Sequence, residues 1–373
     1  MHSGHRVQLL FGGGEAYPAM LAAITAAERE ILLETYIWAS DHNGRRFIDA
    51  VCIKAQEGVR VRCVIDGAGS FYFSNADVER MRNAGVRLSV FHPVGPWRAR
   101  WGWQVRDHRK LLIVDGRIAF AGGMNLGDDY APADWGGKGW NDIQVAVEGP
   151  LVRELLRLFE VSWRYAMPET YPDDMPEPYA PRDGFLAVHG STTRAQSLAV
   201  GRFFGRRVIQ HHLTHAFSNA RDRIRIQAAY FVPNRAVRSS LIRASRRGVD
   251  VRVMMPQNND VPFLGYASRA TWGPLLRNGV KLFEWQPGML HSKTASVDGQ
   301  WCMVGSYNLD ARSLLYNWEV AIEVLDPLVS LALEAKFTED EWNCEAVDAE
   351  RFRHRGMWQR VRERFFHMFR LWL

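Results

Sequence analysis

One set of chemically capable residues occurs twice in this chain. His108-Arg109-Lys110 is followed by Asp115 and by Gly122-Gly123-Met124-Asn125. His291-Ser292-Lys293 is followed by Asp298 and by Gly305-Ser306-Tyr307-Asn308. The interval is constant: 291 − 108, 293 − 110, 298 − 115, 305 − 122 and 308 − 125 all equal 183. The chain has six lysines, and two of them hold this matched position. His and Lys two apart on an extended strand point to one face. Each unit thus offers a nucleophile or base beside a cation. Two units facing each other allow one imidazole to attack phosphorus while the other protonates the leaving oxygen; the second nucleophile then reverses the roles. Charge on the non-bridging oxygens needs fixed donors. Lys110 and Lys293 supply them, assisted by Asn125, Ser306 and Asn308. This chemistry asks for no metal or cofactor, and no ligand cluster for a metal is visible.

The elements that position these residues read as alternating strands and helices. In the first half Val7–Phe11, Glu30–Trp38, Val59–Ile65, Val86–Phe91, Leu111–Val114, Ile118–Ala121 and Ile143–Val147 have strand composition. Ala19–Glu28, Arg46–Glu57 and Asn75–Asn83 have helical spacing. Residues 167–183 contain five prolines and read as a connector. The pattern then restarts, with strands expected at Phe185–Val188, Ile224–Phe231, Val249–Met255, Val280–Trp285, Lys293–Val297, Trp301–Val304 and Glu319–Leu325. The chain is a duplication of α/β halves. The expected division is 1–166, a linker at 167–183, a second half at 184–350 and a C-terminal segment at 351–373. Two insertions flank the first motif. One precedes His108, where 108 − 85 = 23 residues stand against 291 − 279 = 12. The other lies in the loop Gly127–Trp140. Together they would form a lip over one side of the site.

The doubled HxK(x)4D pattern with GG/GS-x-N resembles the phospholipase D superfamily, along nearly the whole chain from about Val7 to about Glu345. Ile31–Trp38, Ile118–Asn125 and Val304–Asp310 resemble more narrowly the bacterial cardiolipin synthases of the short type, without N-terminal membrane helices. The resemblance implies two tandem α/β/α sandwich halves related by pseudo-twofold symmetry, with the site at their interface. It also implies a covalent phosphohistidine. His108 maps to the usual nucleophile and His291 to the general acid/base; near-symmetry of the halves leaves the reverse open. His108, Lys110, Asp115, His291, Lys293 and Asp298 form the expected catalytic set. Asp142 and Glu319 match family carboxylates that fix the histidine tautomer. Asp115 and Asp298 then hold the turn rather than touch substrate.

Composition and surface narrow the partners. The net charge is +6 over 373 residues, and 47 basic residues less six lysines leaves 41 arginines. That suits an anionic partner, either nucleic acid or an anionic membrane. Trp97, Trp101 and Trp103 alternate with arginines in the first insertion, as a packed lid or an interfacial contact that also keeps water from the intermediate. In 357–373, Trp358, Val361, Phe365, Met368, Phe369 and Trp372 share one helical face opposite arginines. That reads as an interfacial anchor, against the alternative of a helix docked on its own domain. Gly12-Gly13-Gly14 reads as a flexible turn. His211 and His215, four apart, lack a third metal ligand and read as a polar face. Cys52, Cys63, Cys302 and Cys344 have no metal-ligand spacing and read as free thiols in a reducing compartment. The first residues have no signal-like pattern, and no apolar run reaches about 18 residues. The expected place is therefore peripheral, at the cytoplasmic face of the inner membrane. The expected function is transfer of a phosphatidyl group between phospholipids, with phosphatidylglycerol as donor, acceptor or both, and no obligatory protein partner. The alternative is a phosphodiesterase or nuclease of the same superfamily. The Trp-rich insertion and the anchor-like tail weigh against nucleic acid.

Overall fold

The structure is a computed structural model that describes residues 1–94, 104–166, 190–201 and 204–370. The expected linker at 167–183, the expected strand Phe185–Val188, and Trp97, Trp101, Trp103 and Trp372 lie outside the described residues.

The first half contains β1 (Arg6–Phe11), α1 (Gly12–Thr25), β2 (Glu30–Thr35), α2 (His42–Gln56), β3 (Arg60–Asp66), α3 (Asn75–Asn83), β4 (Arg87–Phe91), β5 (Leu111–Val114), β6 (Ile118–Gly122), β7 (Ile143–Glu148) and α4 (Leu151–Ala166). Its sheet has the order β1-β7-β6-β5-β2-β3-β4, with β2, β3 and β4 parallel and the other pairings antiparallel. The second half contains β8 (Arg194–Val200), α5 (Val208–Asn219), β9 (Arg223–Ala228), α6 (Arg235–Arg246), β10 (Asp250–Pro256), α7 (Pro262–Leu276), β11 (Lys281–Trp285), β12 (Lys293–Val297), β13 (Trp301–Gly305), α8 (Ala311–Leu315), β14 (Glu319–Leu325) and α9 (Pro327–Glu341). The strand β15 (Cys344–Ala346) and the helices α10 (Ala349–Arg353) and α11 (Met357–Met368) follow. The order β15-β11-β10-β9-β12-β13-β14-β8 repeats the first sheet, with β15 added at one edge.

Each sheet carries helices on both faces. The apolar side of α1, α2 and α3 packs on the first sheet through Tyr17, Phe47, Ile48 and Met81. The matching cluster of the second half holds Leu213, Phe217, Leu241 and Trp272. The other faces of the two sheets meet in one continuous core. There α4 contributes Leu155, Leu156, Phe159 and Trp163, and the second half contributes Cys302, Val304, Val320 and Ile322. Burial of this shared apolar surface joins the halves into one body.

Two expectations need correction. Gly12-Gly13-Gly14 is the first turn of α1. A side chain on Gly13 would stand 2.0 Å from the Tyr130 carbonyl oxygen, so glycine there allows close approach of the helix rather than flexibility. The strand β8 was not anticipated. It is a strand of mixed exposure, RAQSLAV, paired along its length with β14 and bridged on its other edge by His2 at Ala195, and such a strand lacks a continuous apolar run.

The first glycine of each motif has the same steric cause. A Cβ at Gly122 would fall 2.5 Å from the Ile143 carbonyl oxygen, and one at Gly305 would fall 2.3 Å from that of Val320. Both obstacles are backbone of the neighbouring strand and cannot yield. Gly122→Ala and Gly305→Ala should each destabilise the fold by about 1–3 kcal/mol or more in chemical denaturation, whereas Gly14→Ala, inside α1 and 3.7 Å from Pro132 Cβ at its nearest, should leave stability unchanged or raised.

Candidate active site

The motif histidines lie just ahead of β5 and β12, beside the carboxyl ends of β2 and β9. Backbone pairing across the interface holds each one. His108 N–H donates to the Trp318 carbonyl (3.0 Å), and Trp318 N–H donates to that of Arg106 (2.8 Å). His291 N–H donates to the Asn141 carbonyl (2.7 Å), and Asn141 N–H donates to that of Met289 (3.0 Å). Trp318 and Asn141 immediately precede Glu319 and Asp142. Each histidine is therefore tied by backbone to the opposite half, next to the carboxylate it meets.

The side chains follow the same exchange. His108 Nδ1 lies 3.1 and 3.0 Å from the two Glu319 oxygens, and His291 Nδ1 lies 2.7 Å from Asp142 Oδ2. Both carboxylates are fully buried. Their surroundings differ. Glu319 accepts from Ser306 Oγ (2.5 Å), Ser313 Oγ (2.7 Å) and Asn317 Nδ2 (3.2 Å) as well as from His108. Besides His291, Asp142 accepts from the Ile143 N–H (2.7 Å). Burial raises the pKa of both, but at Glu319 the His108 imidazole, Lys110 and the Ser306 hydroxyl outweigh it and hold the group below its ordinary value. At Asp142 burial wins and the value rises to about 7, against Lys293 and the Ile143 amide. Burial pushes His108 down to about 4, with Glu319 opposing. Burial, Lys293 and Lys110 push His291 well below its ordinary value.

Both lysines are buried, and each donates back to the carbonyl of its own histidine, Lys110 to His108 at 2.7 Å and Lys293 to His291. Lys293 Nζ also lies 3.1 Å from His291 Nε2. An ammonium has three donors, so Lys110 retains hydrogens for an anionic oxygen, whereas Lys293 also lies 2.7 Å from His291 Nδ1 and must turn from the ring to offer one. Burial lowers Lys110 to about 7 and Lys293 to about 8, with the mutual repulsion of the two ammonium groups contributing at Lys110.

Several expected roles change. Asp115 and Asp298 sit at the far ends of β5 and β12 from the histidines, at φ +54° and +55°. The Asp115 carboxylate accepts from the amides of Glu28, Arg29 and Glu30; Asp298 accepts from those of Arg221, Asp222 and Arg223. They anchor the turns to the preceding segments, as expected, and at the far ends of the strands they stand outside the catalytic set. Among the expected phosphate ligands, Ser306 is committed to Glu319. Asn125 accepts from Ile37 N–H (3.0 Å) and donates to the Tyr130 hydroxyl (2.7 Å). Asn308 alone of the three keeps a buried side-chain oxygen without a partner among the described residues.

Sequence reasoning missed the aromatic walls. Tyr36 meets His108 edge-on at 4.9 Å, and Tyr230 stands perpendicular to His291 at 6.3 Å. These tyrosines are 194 residues apart, or 183 plus the eleven inserted residues, so the repeat shifted by the insertion would have revealed them. Tyr130 and Trp140, from the loop inserted after Asn125, pack on His291 at 5.4 and 5.7 Å. Nothing in that loop's composition distinguishes them from ordinary core residues. The helix α11 docks on α7 by Phe366, which stacks on Tyr266, and by Arg362 over the same ring. Trp358, Val361, Phe365, Met368 and Phe369 face outward, exposed. Docking and an outward apolar face are thus both present, on adjoining sides of one helix, where Phe365 touches Phe366. His211 and His215 sit exposed on α5, and among the described residues no cluster of three His, Cys, Asp or Glu could hold a metal. All four cysteines are free. No helix of the described residues is long and apolar enough to cross a membrane.

Comparison with known proteins accords with this arrangement. The family described as "Cardiolipin synthase, PLD-like domain" matches residues 20–163 and 213–342. The probable cardiolipin synthase YwiE of Bacillus subtilis (strain 168) is 34% identical over 363 residues, 97% of this chain and 71% of that protein. Cardiolipin synthase A of Pseudomonas syringae pv. syringae (strain B728a) is 33% identical over 339 residues, 91% of this chain and 69% of the other. In fold the chain is similar to the phosphatidylserine synthase of Haemophilus influenzae Rd KW20, with a TM-score of 0.73 at 15% identity, covering 97% of this chain and 92% of that one. Two halves with one strand order, matched by the two segments of the family, place this chain in the cardiolipin synthase, PLD-like domain family.

Proposed function

We propose that the protein is a phosphatidyltransferase that moves a phosphatidyl group from one phospholipid to the hydroxyl of another, through a phosphohistidine. The observation that carries this reading is the exchanged pair, His108 with Glu319 and His291 with Asp142, in one buried site beside two lysines. Relatives named cardiolipin synthase support the lipid class.

In this reading Glu319 holds the Nδ1 hydrogen of His108, which leaves the Nε2 lone pair to attack phosphorus. The firmly ionised Glu319, with its extra donors, favours His108 as nucleophile over His291. Lys110 and Lys293 stabilise charge on the non-bridging oxygens. The bond from phosphorus to the leaving headgroup oxygen breaks as His291 Nε2 gives that oxygen its proton and Nδ1 draws one from the Asp142 carboxyl, whose raised value lets it hold a proton; with phosphatidylglycerol as donor, glycerol departs. The hydroxyl of the second lipid then loses its proton to His291 and attacks phosphorus. The P–N bond breaks and His108 is restored. Tyr36, Tyr130, Trp140 and Tyr230 surround the imidazoles and limit access of water to the intermediate. Peripheral attachment to the cytoplasmic face of the membrane belongs to the same reading, supported by the outward apolar face of α11.

Two outcomes test this. His108→Ala and His291→Ala should each lower transfer from phosphatidylglycerol by about a thousandfold or more, and only variants retaining His108 should show the phosphatidyl mass adduct; full transfer by either variant would sink the two-histidine route. The pH profile of kcat/KM should also fall on its alkaline side between about 7 and 8, where Lys110 and Lys293 lose their protons. The sign follows from the lowered values: the phosphate-binding cations are present below them and vanish above. Lys110→Arg, which stays charged, should move that limb upward if it retains activity; a limb unmoved in both position and slope in an active variant counts against Lys110.

A further inference from the structure

Beyond α11, the exposed apolar side chains include two aromatic points that the sequence did not single out. Tyr72, 90% exposed, and Phe71, 59% exposed, meet edge to face at 5.3 Å in the loop after β3. Phe263, about half exposed, opens α7 after β10. The strands β3 and β10 hold the same place in the two sheets, so the loops are pseudo-symmetric partners.

Each loop also carries one wall of the site. In the first half Ser70 Oγ donates to the Tyr36 carbonyl (3.0 Å) and accepts from Trp38 N–H (3.0 Å). Gly69 lies so close that a Cβ would stand 2.3 Å from the Tyr36 carbonyl oxygen. Tyr36 in turn meets His108. In the second half Asn259 Nδ2 donates to the Ala229 carbonyl (3.2 Å), and the Tyr230 hydroxyl donates to the Asp260 carboxylate (2.8 Å). Tyr230 faces His291. The aromatic points therefore stand on the two loops that hold the Tyr36 and Tyr230 walls of the site. Phe263 is continuous with the tail: Phe366 of α11 packs on it at 5.1 Å, and the exposed Trp358, Phe365 and Phe369 extend the same apolar surface. Arg360, Arg364 and Arg370 are exposed on that helix.

We infer that the protein docks on an anionic phospholipid bilayer through these two pseudo-symmetric loops, resting on Phe71–Tyr72 of one and on Phe263 of the other together with α11. Rings at headgroup depth beside arginines that meet lipid phosphate are the composition of an interfacial contact. Two supports, each on a loop that carries one wall of the site, would set the orientation of the histidines toward the lipid headgroups. This rests on the lipid-transfer reading for the identity of the substrate, but its contact surface can be tested separately.

The experiment compares the parent with Phe71→Ser/Tyr72→Ser and with Trp358→Ser/Phe365→Ser. Three measurements apply: sedimentation with vesicles of phosphatidylglycerol and phosphatidylcholine, transfer on those vesicles, and transfer on short-chain phosphatidylglycerol below its micelle concentration. Each double variant should lose about tenfold in vesicle affinity and in vesicle turnover, the factor that about 1.4 kcal/mol of lost apolar burial produces. Turnover of the monomeric lipid should stay within about twofold of the parent, which also shows that the variants are folded. Unchanged vesicle binding in the Phe71/Tyr72 variant overturns the proposal. So does an equal loss with monomeric lipid, which would make the tip part of the substrate site. A parent dimer that the variant dissociates in light scattering would make it a subunit contact instead. Vesicle binding that depends on the tips, without transfer of any lipid by the parent, leaves the docking in place and removes the proposed activity.

Discussion

The site depends on a reciprocal backbone exchange between the halves. His108 is hydrogen-bonded to the residue before Glu319, and His291 to the residue before Asp142. These bonds set the register between a motif in one half and a carboxylate in the other. Without them the imidazole Nδ1 atoms would have no fixed acceptor, and their tautomers would be undetermined. Arg109, between the first histidine and its lysine, reinforces the junction. It is fully buried and donates to the Val200 carbonyl at 3.1 Å and to Ser162 Oγ at 3.2 Å, with its guanidinium over Trp318. It thereby ties the first motif to β8 and to α4, the helix shared by both sheets. A half-chain would contain a histidine and a lysine but not the carboxylate that orients the ring.

Near-symmetry of the backbone accommodates unequal electrostatics. The position after the motif glycine is Gly123 in one half and Ser306 in the other. A Cβ at Gly123 would stand 2.3 Å from the Asp142 carboxylate, so only glycine leaves that group room. Ser306 instead donates to Glu319, joined by Ser313 and Asn317. One carboxylate is thus held as an anion by donors, and the other is left more exposed to the effect of burial. Side-chain donors gathered on Glu319, with the Ser306 hydroxyl first among them, separate two imidazoles that share one backbone geometry. Their division of labour in the proposed transfer follows from that difference.

The aromatic side chains add a second asymmetry. Tyr36 and Tyr230 are repeated walls, but Tyr130 and Trp140 belong to an insertion present only after the first motif, and both pack on His291. The His291 side is consequently the drier and more enclosed. Tyr130 is also the group that takes up the Asn125 amide, which removes that residue from the set available to substrate. An insertion has here replaced a polar ligand by an aromatic lining.

The duplication, the alternation of strands and helices, and the presence of two His–Lys pairs were all legible in the order of residues, because spacing and periodicity are local properties. The constant interval of 183 residues was sufficient to pair the motifs, and the family likeness supplied the orienting carboxylates. Which carboxylate serves which histidine was not legible. Glu319 and His108 are 211 residues apart, and Asp142 and His291 are 149 apart; only the packing of one sheet against the other brings them together. The same holds for Ser306 and Asn125, whose polar atoms looked free in the sequence and are bonded to neighbours. The apolar face of α11 was visible as a periodicity. That it points outward while the adjoining face docks was decided by Phe366 and Arg362 finding Tyr266 on α7. Sequence spacing specifies which groups share a face; burial across an interface decides what that face meets.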